Sequence, residues 1–173
     1  DKIIISVGQF IYRKGYDVLL NACENLDNNV GVYIIGGEPT NEYLQILKDK
    51  GITNVYFRGF MEKEKLVNYY KAADLFVLPT REDIWGLVIN EAMAYGLPII
   101  TTDKCIAGCE LINNGINGYI VSVDSVNELN FYIKKMLENT ENLVNISSNN
   151  IAKISSYTLS NMAKVQMEIF NRL

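Results

Sequence analysis

Apolar and polar positions follow two rhythms along this chain. Short runs that are almost wholly apolar recur as IIISVG (3–8), VGVYIIGG (30–37), NVYFRGF (54–60), DLFVLPT (74–80), LPIITTD (97–103) and GYIV (118–121). Runs of this length, rich in β-branched residues and with glycine or proline at several ends, predict strands buried on both faces. Between them lie segments with apolar residues at helical spacing. GYDVLLNACENL (15–26) places Val18, Leu19, Ala22, Cys23 and Leu26 on one side. NEYLQILKDKG (41–51) ends on a glycine stop, and EKEKLVNYYKAA (62–73) carries acids and lysines on its outer face. WGLVINEAMAYG (85–96) and VNELNFYIKKMLEN (126–139) complete the series. Residues 139–156 are rich in Asn and Ser and predict a short surface helix with loops. A closing helix is expected over 158–173, with Leu159, Met162, Ala163, Met167, Ile169, Phe170 and Leu173. It is more apolar than one buried face requires, so it docks either on its own sheet or on a further domain.

Strands that alternate with helices predict right-handed βαβ units and a parallel sheet. The fold class is α/β: one Rossmann-like three-layer α/β/α domain over residues 1–173, with about six strands. Its 173 residues are enough for a substantial core. The chain starts with Asp1 and enters a strand at once, which reads as a domain cut from a longer protein.

Composition narrows the chemistry. With 49% hydrophobic and 21% charged residues the chain is of ordinary globular make-up, so neither disorder nor a fibre is expected. A net charge of −4 argues against a nucleic-acid partner or a polybasic membrane surface. No apolar run approaches the roughly 20 residues of a membrane span. Histidine is absent, so no Ser-His-Asp or Cys-His relay can be assembled from this chain. Cys105 and Cys109 have no further Cys or His within a zinc-ligand pattern; no metal site is expected, and both read as buried or half-buried thiols.

In an open parallel sheet ligands bind where strands end and helices begin. The first such loop, GQFIYRKG (8–15), puts Arg13 and Lys14 at the expected start of the first helix, beside Gly8. Cations next to free helix-terminal N–H groups suit an anion such as phosphate, although a solvated lysine would look the same. Neither the dinucleotide glycine fingerprint nor the P-loop pattern is present. Phe60 and Met61, after the third strand, present apolar groups that hold a flat ring or simply pack. The most informative stretch is REDIWGLVINEAMAYGLPII (81–100). The amides of Gly86, Leu87 and Val88 would open a helix without acceptors. Glu91 lies one to two turns further in, within a segment that from Ile84 onward is almost wholly apolar except for Asn90 and Glu91. It either accepts bonds from ligand hydroxyls or reaches solvent or a lysine.

Four blocks carry a family resemblance along nearly the whole chain: SVGQFIYRKGYDVLLNA, NVYFRGFMEKEKLVNYYKAADLFVLPTRED, DIWGLVINEAMAYGLPIITTD and GCELINNGINGYIV. They resemble the C-terminal, donor-binding domain of a GT-B-fold retaining glycosyltransferase of the GT4 family, the glycosyl transferases group 1. The resemblance implies transfer of a hexosyl group from an NDP-sugar, UDP being the commonest nucleotide, to a glycan or lipid acceptor. It implies Lys14 on the donor diphosphate, Gly8 closing the first strand, Glu91 on the ribose, and the amides of Gly86, Leu87 and Val88 on phosphate. Phe60 and Met61 would flank the base, and Trp85 would join the donor contacts. The catalytic set it implies is Asp83, Glu91 and Lys14. Two positions depart from the pattern. Asp83 replaces the first acid of the E-x7-E segment, which contacts the transferred sugar, and Gln9 stands where an arginine often binds phosphate; Arg13 is the candidate substitute, and Glu82 is an out-of-register neighbour of Asp83. The implied reaction is metal-independent, needs no cofactor and treats the NDP-sugar as substrate. The acceptor domain would lie N-terminal to this chain, so the isolated domain would bind donor without turnover. The implied setting is cytoplasmic polysaccharide biosynthesis, at the inner membrane face if that domain attaches there. A non-catalytic nucleotide-binding module and another GT-B enzyme, such as a sugar-nucleotide epimerase, are the alternatives.

Overall fold

In the computed structural model, which describes residues 1–138 and 140–171, the apolar runs become the strands of one sheet. Strand β1 (Lys2–Val7) leads through a 3-10 turn at Tyr12–Lys14 into α1 (Tyr16–Ala22). Then follow β2 (Val30–Ile35), α2 (Asn41–Lys50), β3 (Val55–Arg58), α3 (Lys63–Ala72), β4 (Leu75–Leu78), α4 (Leu87–Ala94), β5 (Ile99–Thr102) and α5 (Ile106–Leu111). Strand β6 (Gly118–Val121) precedes α6 (Val126–Glu138), α7 (Thr140–Ile154) and α8 (Leu159–Phe170). Asn139 and Leu173, which close two of the expected helices, lie outside the described residues.

The sheet order is β3-β2-β1-β4-β5-β6 and every neighbouring pair is parallel. The chain first builds outward from β1 through β2 to β3, then returns to β4 on the other side of β1. The β1–β4 seam is therefore the topological switch point, where the two halves diverge and leave a crevice at the strands' carboxyl ends.

Strand residues alternate between two apolar layers. Ile4, Val32, Val77 and Ile100 join Leu19, Leu20 and Ile133 on one face of the sheet. Ile5, Phe76, Leu78 and Ile99 join Ile89 and Met93 on the other. All of these side chains are fully buried. Each contributes about 1.5–3 kcal/mol of hydrophobic stabilisation. Burial on both sides is why the strands read as continuous apolar runs and not as alternating ones.

Several expectations change. Residues 140–154 form one long helix, α7, packed against α4, and not a short helix with loops. Its anchor is polar: buried Asn150 donates from Nδ2 to the carbonyls of Leu97 (2.8 Å) and Asn117 (2.9 Å). Hydrophobic periodicity undercounts a helix held by an amide clamp. Helix α8 has no buried residue; Leu159, Met162, Val165, Met167, Ile169 and Phe170 are all exposed, so it does not pack on its own sheet. Cys23 and Cys105 are buried, but Cys109 is exposed, contrary to the expectation of a shielded thiol. Among the described residues no helix is long and apolar enough to cross a membrane.

Candidate functional site

Two loops meet over the carboxyl ends of β1 and β4. The first, residues 8–15, folds as the 3-10 turn that ends on Lys14, with Gly15 between it and α1. Lys14 therefore does not open α1, as the sequence suggested; it hangs from a separate turn over the strand ends. The second loop, residues 79–86, is stitched to the first. Buried Thr80 places its Oγ1 2.9 Å from the carbonyls of both Arg13 and Glu82 and shares its single O–H between them. The Arg81 amide also donates to the Arg13 carbonyl (2.8 Å), and the Arg13 guanidinium returns a bond to the Glu82 carbonyl (3.2 Å).

The stitching brings Lys14 Nζ to 2.5 Å from Asp83 Oδ2. Both side chains are only 12% exposed, so the pair is poorly screened by water. The lysine stem passes over Gly8, where an added Cβ would meet Lys14 Cε at 3.3 Å and Tyr16 Oη at 2.9 Å. A side chain at position 8 would push the ammonium away from the strand ends.

Asp83 leads into α4 through Gly86, whose φ of 92° is a left-handed conformation that favours glycine. A Cβ there would also stand 2.8 Å from the buried Cys105 Sγ. Burial pushes the Cys105 thiol pKa up, which keeps it protonated and inert. Among the described residues the amides of Gly86, Leu87 and Val88 have no intramolecular acceptor; the first loop-closing bond runs from the Ile89 amide to the Gly86 carbonyl (2.8 Å). These free N–H groups and the helix dipole favour an anion at the same rim that Lys14 faces.

Beside this rim lies a cavity of about 510 Å³ between α3 and the end of α4. Phe60 and Met61 form its mouth, Leu66, Val67 and Tyr70 one wall, and Glu91 and Tyr95 the other. Tyr70 Oη donates to Glu91 Oε2 at 3.0 Å. Burial, followed by the Glu91 charge, raises the Tyr70 pKa, so the phenol keeps the proton it donates. An apolar slot with a carboxylate at one edge suits a flat ring carrying hydroxyl groups.

A profile of the family described as glycosyl transferases group 1 matches residues 1–153. The chain belongs to that family. An uncharacterized glycosyltransferase of Methanocaldococcus jannaschii is 28% identical over 178 residues, covering 98% of this chain and 45% of the relative. A GDP-mannose-dependent alpha-mannosyltransferase of Corynebacterium glutamicum is 32% identical over 122 residues, 70% of this chain and 28% of that one. The chain thus spans less than half the length of the curated relatives it matches. Among solved structures, Anabaena HepE in complex with UDP and glucose superimposes with a TM-score of 0.90 at 22% identity, over 100% of this chain and 49% of that one. At that identity the likeness is one of fold, the three-layer sheet of GT-B glycosyltransferases.

Within this group 1 domain the expected residues fall into two clusters and a remainder. Gly8, Lys14, Asp83 and Gly86–Val88 share the rim; Phe60, Met61 and Glu91 share the cavity. Glu91 is exposed at the cavity edge and not enclosed by its apolar helix, because α4 turns Ile89, Ala92 and Met93 into the core and leaves position 91 outside. Trp85 donates from Nε1 to Asn90 Oδ1 (2.9 Å) and packs against the apolar layer under α4, which makes it a prop for that helix start. Arg13 spends its guanidinium on a backbone carbonyl.

Sequence reasoning missed Arg81. Its guanidinium makes a two-pronged bond to Asp17 (2.7 and 2.8 Å), donates to the Tyr12 carbonyl (2.9 Å), lies 4.0 Å from the Tyr12 ring centre and pairs with Asp124. Those bonds, the Asp17 one first, raise its already high pKa. It fastens the Lys14 turn to α1. No local pattern announces partners so far away in sequence. Tyr70 was also missed, as one aromatic among several on an amphipathic helix.

Proposed function

We propose that this chain is the donor-binding domain of a retaining glycosyltransferase that uses an NDP-sugar, with UDP as the nucleotide. The observation that carries this reading is the convergence of the Lys14 ammonium and the α4 N-terminal amides at the β1–β4 switch point, beside the cavity rimmed by Glu91. In this reading the base enters between Phe60, Met61 and the wall of α3. Glu91 accepts from the ribose hydroxyls in place of the Tyr70 phenol. The diphosphate lies between Lys14 and the amides of Gly86, Leu87 and Val88. The shared fold with HepE, whose structure holds UDP and glucose, supports the choice of nucleotide.

Transfer breaks the bond between the anomeric carbon and the leaving phosphate oxygen. The acceptor hydroxyl attacks from the face that the diphosphate leaves, so configuration is retained, and its proton passes to that phosphate oxygen. The chain's part is to hold the growing negative charge with fixed donors, Lys14 and the α4 amides. This charge compensation is supplied by the protein itself, and we read the transfer as metal-independent. The acceptor, a glycan or a lipid-linked sugar, would be held by an N-terminal domain of the same polypeptide. The exposed apolar side of α8 offers that domain a docking face.

A thermal-shift panel with UDP, GDP and ADP tests the reading. UDP at 100 times its Kd should stabilise the domain by roughly 2.7 kcal/mol. No shift with any of the three nucleotides would reject it.

A further inference from the structure

Lys14 and Asp83 form the least exposed ion pair among the described residues. Both partners are held in place from their backbones or stems, while the Asp83 carboxylate itself is bonded to Lys14. The Asp83 amide donates to the Lys104 carbonyl (3.0 Å), and its own carbonyl accepts from the Ile106 amide (3.2 Å), so its backbone is pinned along the segment that joins β5 to α5. The Lys14 stem is held over Gly8. The Asp83 carboxyl carbon lies 3.6 Å from where a Cβ on Gly86 would stand. The carboxylate is therefore next to the opening of α4 while it is bonded to the ammonium. That is the place an incoming phosphate would take. The ammonium has three N–H donors but a single charge, so a phosphate that joins Asp83 there leaves negative charge uncompensated unless the carboxylate moves aside.

We propose that Asp83 is an internal stand-in for the donor phosphate. It neutralises Lys14 when no nucleotide is bound and is exchanged for the diphosphate when the donor arrives. This rests on the nucleotide-binding reading of the site and adds a sign to it: the aspartate opposes binding of the nucleotide. It also gives the one-methylene shortening at position 83 a consequence. The short side chain ends on the lysine, so the domain spends part of its phosphate affinity on its own carboxylate.

The test is calorimetric titration of UDP into the 173-residue chain and its Asp83→Asn and Asp83→Ser variants, with folding checked by circular dichroism. Removing one member of a buried pair leaves the other charge uncompensated. Both variants should therefore bind UDP about tenfold more tightly or better. In a Lys14→Met background the gain should shrink, since only the repulsion between the Asp83 charge and the phosphate is then relieved and the exchange at the ammonium is lost. Unchanged or weaker affinity in whichever variants fold would overturn the proposal, as would a gain undiminished without Lys14. If the unmodified chain binds UDP and only the gain is missing, the stand-in role fails and the nucleotide reading survives. If none of the proteins binds UDP, GDP or ADP, both fall.

Discussion

Replacing Arg81 with alanine should damage stability and nucleotide affinity together, because one side chain serves both. The guanidinium and Asp17 are bonded through two parallel contacts, with side-chain exposures of 14% and 26%. An exposed pair would contribute at most about 1 kcal/mol. Breaking a fully buried pair costs about 3–5 kcal/mol. This pair lies between those limits, and the stacking on Tyr12 adds about 0.5–1 kcal/mol. The expected loss is about 2–3 kcal/mol, or about 5–10 °C in Tm for a domain of this size. Urea unfolding measures it. The same substitution removes the bond to the Tyr12 carbonyl that holds the 3-10 turn. The Lys14 ammonium loses its fixed position, and UDP affinity should fall in a variant that is still folded. The decisive form is a double-mutant cycle with Asp17→Asn. The two losses should overlap, giving a coupling of at least about 1 kcal/mol. If they add to within about 0.5 kcal/mol, Arg81 and Asp17 act independently and the fastening argument is wrong.

Three further outcomes follow from the burial of particular groups. Asn150→Ala should cost about 1–3 kcal/mol, because the Leu97 and Asn117 carbonyls lose their donor inside the protein; hydrogen exchange should show α7 opening ahead of the sheet, and unchanged protection there would reject the clamp. Burial pushes the Cys23 thiol up to about 12 from an ordinary 9.0, so the unfolded thiol ionises first. The corresponding stability is intact below pH 9.0 and is lost as pH rises toward 12, which denaturant titrations across that window should show. Under native conditions a thiol reagent should label exposed Cys109 quickly and buried Cys23 and Cys105 only on unfolding.

The parts of the molecule that could be read from the sequence are those where burial is symmetric. Ile3–Val7 and Leu75–Leu78 are covered on both sides of the sheet or nearly so, and an apolar run admits few other readings. The loops were located for the same reason, since they are what remains between such runs. What escaped is long-range and polar. The amide of Asn150 holds α7 by reaching two loops far off in sequence. Arg81 ties three segments whose pairing only the closed sheet brings about. The Lys14–Asp83 pair joins positions 69 residues apart, so the family resemblance could imply each as a ligand contact but not that they would meet. Glu91 shows the converse. Apart from Asn90 its near neighbours in sequence are apolar, yet helical geometry sends Ile89, Ala92 and Met93 inward and the carboxylate out to the cavity edge.

The central claim is that one nucleoside diphosphate is held at two points, by Lys14 on its phosphates and Glu91 on its ribose. Calorimetric titration of UDP into Lys14→Met and Glu91→Gln tests it most directly. Lys14→Met removes the cation and strands the Asp83 charge, which should weaken binding by about 2–4 kcal/mol, or roughly 30- to 1000-fold. Glu91→Gln replaces charged acceptors with one neutral acceptor and should weaken it by about 1–2 kcal/mol. Both proteins should keep the unmodified chain's circular dichroism spectrum. Unchanged UDP affinity in both folded variants would contradict the account.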